Sequence, residues 1–116
     1  MKKFILDLTV AQNARLNDNY VLLKLTHSSP LPEMLPGQFA ELRVDGSSTT
    51  FLRRPISINF VDQKANELWF LIQIVGDGTK HLAELRVGDI LNVVLPLGNS
   101  FSMPDNASCK VLLVGG

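Results

Sequence analysis

Six short apolar runs, each bounded by residues that turn a chain, limit what this sequence can build more than any other feature. "FILDLTVAQNARL", "YVLLKLTH", "QFAELRV", "PISINFV", "ELWFLIQIV" and "DILNVVLP" alternate or run apolar over strand-like lengths and are rich in Val, Ile, Leu and aromatic residues. Between them, "NDN" (17–19), "SSPLPEMLPG" (28–37), "VDGSS" (44–48) and "VDQKAN" (61–66) supply the Pro, Gly, Asn and Asp that reverse a chain. The pattern predicts an all-β domain. A closed antiparallel barrel of six strands is expected, because closure removes the edges that a lone sheet must hide, with a sandwich as the alternative. One short helix is expected in "GTKHLAELRVGD", where Leu82, Leu85 and Val87 can share a face, Thr79 can cap the start and Gly88 can end it.

At 116 residues the chain suits one domain with a real core. Eleven basic residues balance eleven acidic ones, so nothing global draws it to nucleic acid or anionic membrane, and any anion site must be local. The longest apolar run falls far short of the roughly 18 residues that span a bilayer. "MKKFILDLTV" carries Asp7 and no small-residue cleavage site, which argues against a signal peptide and for a cytoplasmic location. The one cysteine, Cys109, leaves no internal disulfide and no cysteine cluster within these residues. "CKVLLVGG" (109–116) reads as a buried strand running into the phosphate-binding turn of a nucleotide-binding α/β unit, without the third glycine and helix such a turn needs. The chain is accordingly expected to end just inside a second domain; a plain terminal strand is the alternative.

"FLRRPISI" (51–58) places two arginines and a proline within an otherwise strand-like run. Adjacent side chains on a strand point to opposite faces, so Arg53 and Arg54 cannot both serve one site unless the strand bends. Pro55 has no N–H to donate, which marks an edge, a bulge or the lip of a cleft. An arginine there suits a phosphate, to which its planar fork donates two parallel bonds, or else a surface ion pair. "VGDGTKHL" (75–82) sets glycines around an aspartate just before the expected helix, suiting a second anion contact or an ordinary turn. A diphosphate fits both features, and the residues between them allow a strand, a turn and a return strand that bring the two side by side.

Taken in order, "PGQF" (36–39), "RPIS" (54–57), "LIQ" (71–73), "GDGT" (76–79), "PLGNSF" (96–101) and "VLLVGG" (111–116) resemble the ferredoxin–NADP reductase superfamily, and within it the electron-transfer subunits of NAD-linked dihydroorotate dehydrogenases. The resemblance implies a Greek-key FAD-binding barrel over 1–104, with 105–116 as linker and first strand of an NAD-binding α/β domain. It implies that Arg54 grips the FAD diphosphate while Arg53 is peripheral, that Pro55 and Ile56 stand in the family's Arg-x-aromatic-Ser motif with Ile56 replacing the aromatic, and that Ser57 lies near the reactive edge of the flavin. Leu71, Ile72 and Gln73 are implied to line the flavin and ribityl chain largely through backbone groups, and Gly78 and Thr79 to bind the diphosphate. Whether Arg54 and Ser57 both reach FAD through a backbone bend or through the Ser57 N–H is left open.

The family's chemistry implies a relay between NAD(H) and an FMN-containing catalytic dihydroorotate dehydrogenase subunit, through FAD and a [2Fe–2S] cluster, in pyrimidine biosynthesis. The cluster ligands and most of the NAD site are expected outside these residues, and this stretch alone is not expected to be active. Other chemistry has less support. His27 and His81 lack metal-ligand spacing, Ser57 lacks a nucleophile elbow, and Phe39, Phe51, Trp69 and Phe70 read as core rather than an oligonucleotide platform. The competing readings are a cofactor-free barrel acting as an interaction module, and the FAD domain of a sulfide- or glutamate-linked reductase subunit.

Overall fold

Period-two burial decides the strands: in "YVLLKLT" Val21, Leu23 and Leu25 are buried while the residues between them are not. The computed structural model describes residues 2–115. Along the chain run β1 (Phe4–Arg15), β2 (Tyr20–Thr26), β3 (Phe39–Leu42), β4 (Arg54–Ser57), β5 (Phe60–Asp62), β6 (Glu67–Gln73), α1 (Asp77–Ala83) and β7 (Ile90–Leu97). The strands form one sheet in the order β4-β3-β7-β1-β2-β6-β5, every pair antiparallel.

The architecture is all-β with one short helix, but it is a seven-stranded half-barrel, where a closed six-stranded barrel was expected. The reason lies in "PISINFV", which is two strands and not one. The chain bends at Ile58–Asn59, so β4 joins one end of the sheet and β5 the other. Ile58 N–H donates to Gln38 O (3.1 Å) beside β3, and Asn59 N–H donates to Trp69 O (3.0 Å) on β6. Two consecutive residues thus tie both ends of the sheet together without a ladder between them. β5 covers only Glu67–Trp69 of β6, which leaves Phe70–Gln73 unpaired on that side. β4 comes within 8 Å (Cα–Cα) of β6 but does not pair with it. The result is an open seam.

Inside the curl, Leu23, Leu25, Phe70, Ile72 and Leu95 are fully buried, and Leu82 from α1 is 1% exposed among them. Asn13 on β1 anchors that helix from across the sheet. Its Nδ2 lies 2.9 Å from Leu85 O and 3.1 Å from Ala83 O, taking up carbonyls that a helix end leaves free. The helix boundaries differ from the sequence expectation. Gly76 is the N-cap, Thr79 stands in the first turn, and the helix closes at Glu84; Gly88 belongs to the turn into β7. Thr79 still organises the start, because its Oγ1 accepts from Val75 N–H (2.9 Å) and Gly76 N–H (3.1 Å).

"PGQF" and "PLGNSF" lock onto each other. Phe101 N–H donates to Pro36 O (2.8 Å), and the side-chain amide of buried Gln38 donates to Gly98 O (3.0 Å) while accepting from Leu35 N–H (2.9 Å). Gly37 makes the close approach possible: at φ +100 a Cβ would stand 2.8 Å from Phe101 N. Beyond this clasp, residues 109–115 form no strand, and Val111, Leu112, Leu113 and Val114 are exposed. A strand needs a neighbour for its N–H and C=O groups, and no described residue pairs with them. Gly116 lies outside the described residues. Among the described residues no helix is long and apolar enough to cross a membrane.

Replacing Gly37 by Ala should destabilise the fold by about 2 kcal/mol, since it combines a left-handed backbone with a clash against main chain. Chemical denaturation of the variant beside wild type measures this; an unchanged midpoint would show that the clasp yields freely.

Candidate functional site

Register fixes which way β4 points its side chains. Leu42 pairs with Arg54 and Ala40 with Ile56, so these two share the face of the buried core; Pro55 and Ser57, opposite Glu41 and Phe39, face outward. The alternation is unbroken, and Arg54 and Ser57 therefore stand on opposite faces of an edge strand.

The two arginines part company. Arg53 is committed to the sheet: Nη1 donates to Glu41 O (3.3 Å) and Asn92 O (3.2 Å), and Nη2 donates to the Asn92 side-chain oxygen. Asn92 in turn donates to Asp7 Oδ1 (2.7 Å), so the guanidinium is bound into a polar line across three strands. Arg54 is free of such ties. Its Nε and Nη2 donate only to Leu52 O, both at 3.3 Å, and no carboxylate forms an ion pair with it among the described residues. Its stem lies on the helix start, where a Cβ on Gly78 would meet Arg54 Cδ at 3.0 Å, Arg54 Cγ at 3.1 Å and Thr50 Cγ2 at 3.2 Å. Arg54 and Gly78 come from distant parts of the sequence and are in contact.

The helix start supplies donors. The first main-chain bond of α1 runs from Lys80 N–H to Gly76 O (3.0 Å), which leaves the Gly78 and Thr79 amides without an intrahelical acceptor. Thr79 is 7% exposed with its hydroxyl already engaged, so it has its amide to offer and little else. On β6 the side chains of Leu71 and Gln73 are exposed on the outer face, whereas Ile72 is fully buried and reaches the seam only through its main chain. Ile56 packs against the core. The structure thus gathers Arg54, Gly78 and Thr79 at one rim, sets Leu71–Gln73 across the seam, and leaves Pro55 and Ser57 on the other side of β4.

One feature at this rim escaped the sequence reading. The Asp77 Oδ2 atom accepts hydrogen bonds from three hydroxyls, those of Ser47, Thr49 (2.8 Å) and Thr50 (2.6 Å). His81 Nδ1 lies 2.9 Å from Asp77 O and 3.5 Å from Oδ1. These donors, Ser47 foremost, hold the Asp77 carboxyl far below the usual carboxylate range. The signal available was the hydroxyl run Ser47-Ser48-Thr49-Thr50 shortly before the arginines, of which only "VDGSS" (44–48) was read, as a turn. One concave hollow, of about 360 Å³, is lined by Met34, Leu35, Ile58, Phe60, Val61 and Phe101 and includes neither Arg54 nor Gly78. Arg54 is half-buried and overlies the buried Gly78 at the helix start.

Comparison with known proteins gives a consistent answer. The chain is 45% identical over 82 residues to the electron transfer subunit of dihydroorotate dehydrogenase B (NAD(+)) of Bacillus mycoides, a match covering 70% of this chain and 32% of the relative. The corresponding subunit of Bacillus cereus is 44% identical over the same span, with the same coverage. Among solved structures, the ferredoxin reductase of a carbazole 1,9a-dioxygenase superposes with a TM-score of 0.76 at 24% identity, over 90% of this chain and 32% of that one. An Amycolatopsis cytochrome P450 reductase superposes at 0.73 and 27% identity, over 89% and 31%. No family model matches. The chain spans about a third of the length of the curated relatives it matches. The resemblance expected from the motifs is borne out, and the fold is that of ferredoxin reductases.

The downward shift of Asp77 has a definite sign. A lowered folded-state value means that the hydroxyl clasp adds stability at every pH above the ordinary aspartate value of 3.8 and loses it only as acid titrates the carboxyl below that. The side-chain carboxyl ¹³C resonance of Asp77 should keep its ionised position at about pH 3, where an ordinary aspartate is largely protonated. Titration near the ordinary value would mean that the hydroxyls do not hold it.

Proposed function

We propose that this chain is the FAD-binding module of an electron-transfer subunit serving a catalytic dihydroorotate dehydrogenase, in pyrimidine biosynthesis in the cytoplasm. The observation that carries the reading is the contact between Arg54 and Gly78: the stem of an arginine without a carboxylate partner packs on a helix start with free amides, so closely that a Cβ on Gly78 would stand 3.0 Å from Arg54 Cδ. The donor set fits a diphosphate. A guanidinium and main-chain N–H groups are the pairing that recognises adjacent phosphate oxygens, and no acidic side chain competes for Arg54 among the described residues.

In this reading Arg54 would hold the diphosphate and the Gly78 and Thr79 amides would complete the cradle. Leu71, Ile72 and Gln73 present the unpaired edge of β6, so their main-chain groups can hold the polar edge of the flavin and its ribityl chain while Leu71 shields it from water. Ser57 and Pro55 line the outer face of β4, with the Ser57 hydroxyl and N–H available beside the reacting edge. Ile56 supports this strand from the core side rather than stacking on the ring. Bound here, FAD supplies the exchange between two-electron and one-electron transfer that NAD(H) and an iron–sulfur centre require of each other. The NAD(H) site and the ligands of a [2Fe–2S] cluster are assigned to the rest of the whole protein, since Cys109 is the one thiol here. This stretch alone then has no turnover. The similarity to dihydroorotate dehydrogenase B subunits supports this partner over other reductase assemblies.

Arg54→Ala should weaken FAD retention about tenfold to a hundredfold, the scale of one or two hydrogen bonds to a charged group. Arg54→Lys should recover only part of the loss, because an ammonium lacks the fork. Flavin fluorescence titration of the protein measures both. A wild-type protein that fails to bind added FAD would remove the reading and leave the interaction module.

A further inference from the structure

The connection between β3 and β4 is nearly untethered. From Asp45 to Leu52 the polar contacts to neighbouring residues are local: Asp45 pairs with Arg43, Ser47 Oγ accepts from Thr49 N–H (3.1 Å) and Thr50 N–H (2.9 Å), and Leu52 O accepts from Arg54. Phe51 and Leu52 are 86% and 74% exposed, so apolar packing does not hold the segment either. Among the described residues, its hydrogen bonds to a different element all end on one atom, Asp77 Oδ2. Ser47 is the hub, because its hydroxyl both organises the turn and donates to that carboxylate. Thr50 is the last tethered residue, and its methyl stands with the Arg54 stem against Gly78.

We infer that Asp77 is a positioning residue for the diphosphate cradle: through the Ser47, Thr49 and Thr50 hydroxyls it pins the approach to β4 and so places Arg54 over Gly78. This rests on the FAD-binding reading above. An aspartate beside a phosphate site would ordinarily oppose the ligand by like-charge repulsion. Here one carboxylate oxygen faces three hydroxyl donors and the other faces His81, so the exposed carboxylate is engaged by the loop and used to order the segment that carries the arginine. A side chain held in place before binding loses less freedom when the ligand arrives.

The two roles that Asp77 could have predict opposite signs. If it were only a negative charge near the diphosphate, Asp77→Ala would tighten FAD binding; as a positioning residue its loss weakens binding, by about tenfold if the disorder costs one charged hydrogen bond to the ligand. Thr50 separates the clasp from packing. Thr50→Val keeps the methyl and loses the hydroxyl and should share the defect, Thr50→Ser keeps the hydroxyl and should bind close to wild type, and the Asp77→Ala, Thr50→Val double variant should be little worse than Asp77→Ala. A second readout needs no flavin. Chymotrypsin should cut after exposed Phe51 markedly faster in Asp77→Ala than in wild type. Wild-type FAD binding with equal or tighter binding by Asp77→Ala overturns the inference alone. Absence of FAD binding by wild type overturns the functional reading instead, and an unchanged cleavage rate at Phe51 then overturns the clasp as well.

Discussion

The rest of the structure depends on a single crossing, the step from β4 to β5 through Ile58 and Asn59. Strands adjacent in the chain lie at opposite ends of the sheet, so the sheet must curl until those ends are two residues apart. Ile58 and Asn59 each spend one amide on an opposite side, and that pair of bonds holds the curl. A ladder cannot form at the same place, because the chain leaves β4 just where pairing would begin. The unpaired edges of Arg54–Ser57 and Phe70–Gln73 follow from this. Unpaired main chain is costly unless something satisfies it, whether water or a ligand, and both segments are ones that the sequence motifs singled out.

Against this frame the helix acts as a lid on the barrel end and as a platform for the rim. Leu82 faces inward and fills the core, Asn13 fixes the far end, and the opposite end carries Asp77, Gly78 and Thr79 at the seam. Helix position and site geometry are thereby coupled: a shift that unseats Leu82 also moves the amides next to Arg54. Charge is sorted with equal economy. Arg53 serves three strands, Asp77 serves the loop, and Arg54 is the cation at the rim with no anionic partner among the described residues.

Much of this was legible in the sequence, for local reasons. The runs and turns gave the strand positions because burial at every second residue is written directly into residue type, and "RPIS" with "GDGT" stood out because proline and glycine restrict the backbone strongly. The division of "PISINFV" was not legible, since Ile58 and Asn59 interrupt no apolar pattern; the break is a tertiary event set by which edge each half joins. The helix start was misplaced for a related reason: Thr79 looks like a cap, yet its hydroxyl reaches back from the first turn to Val75 and Gly76. The Asp77 clasp was hidden because its partners lie 27 to 30 residues away, beyond any local spacing rule. "PGQF" and "PLGNSF" read as family marks and turned out to be each other's binding surface.

The place where β5 stops short has one more consequence. Trp69, the one tryptophan of the chain, sits at that point: its carbonyl receives Asn59 N–H, its ring centroid is 4.9 Å from that of Phe60, and Lys24 Nζ lies 4.0 Å over its face. A cation over an indole and an adjoining ring both respond to small displacements. Intrinsic ultraviolet emission therefore reports on the hinge of the curl itself, and the molecule carries its own optical gauge of whether the half-barrel is wound or slack.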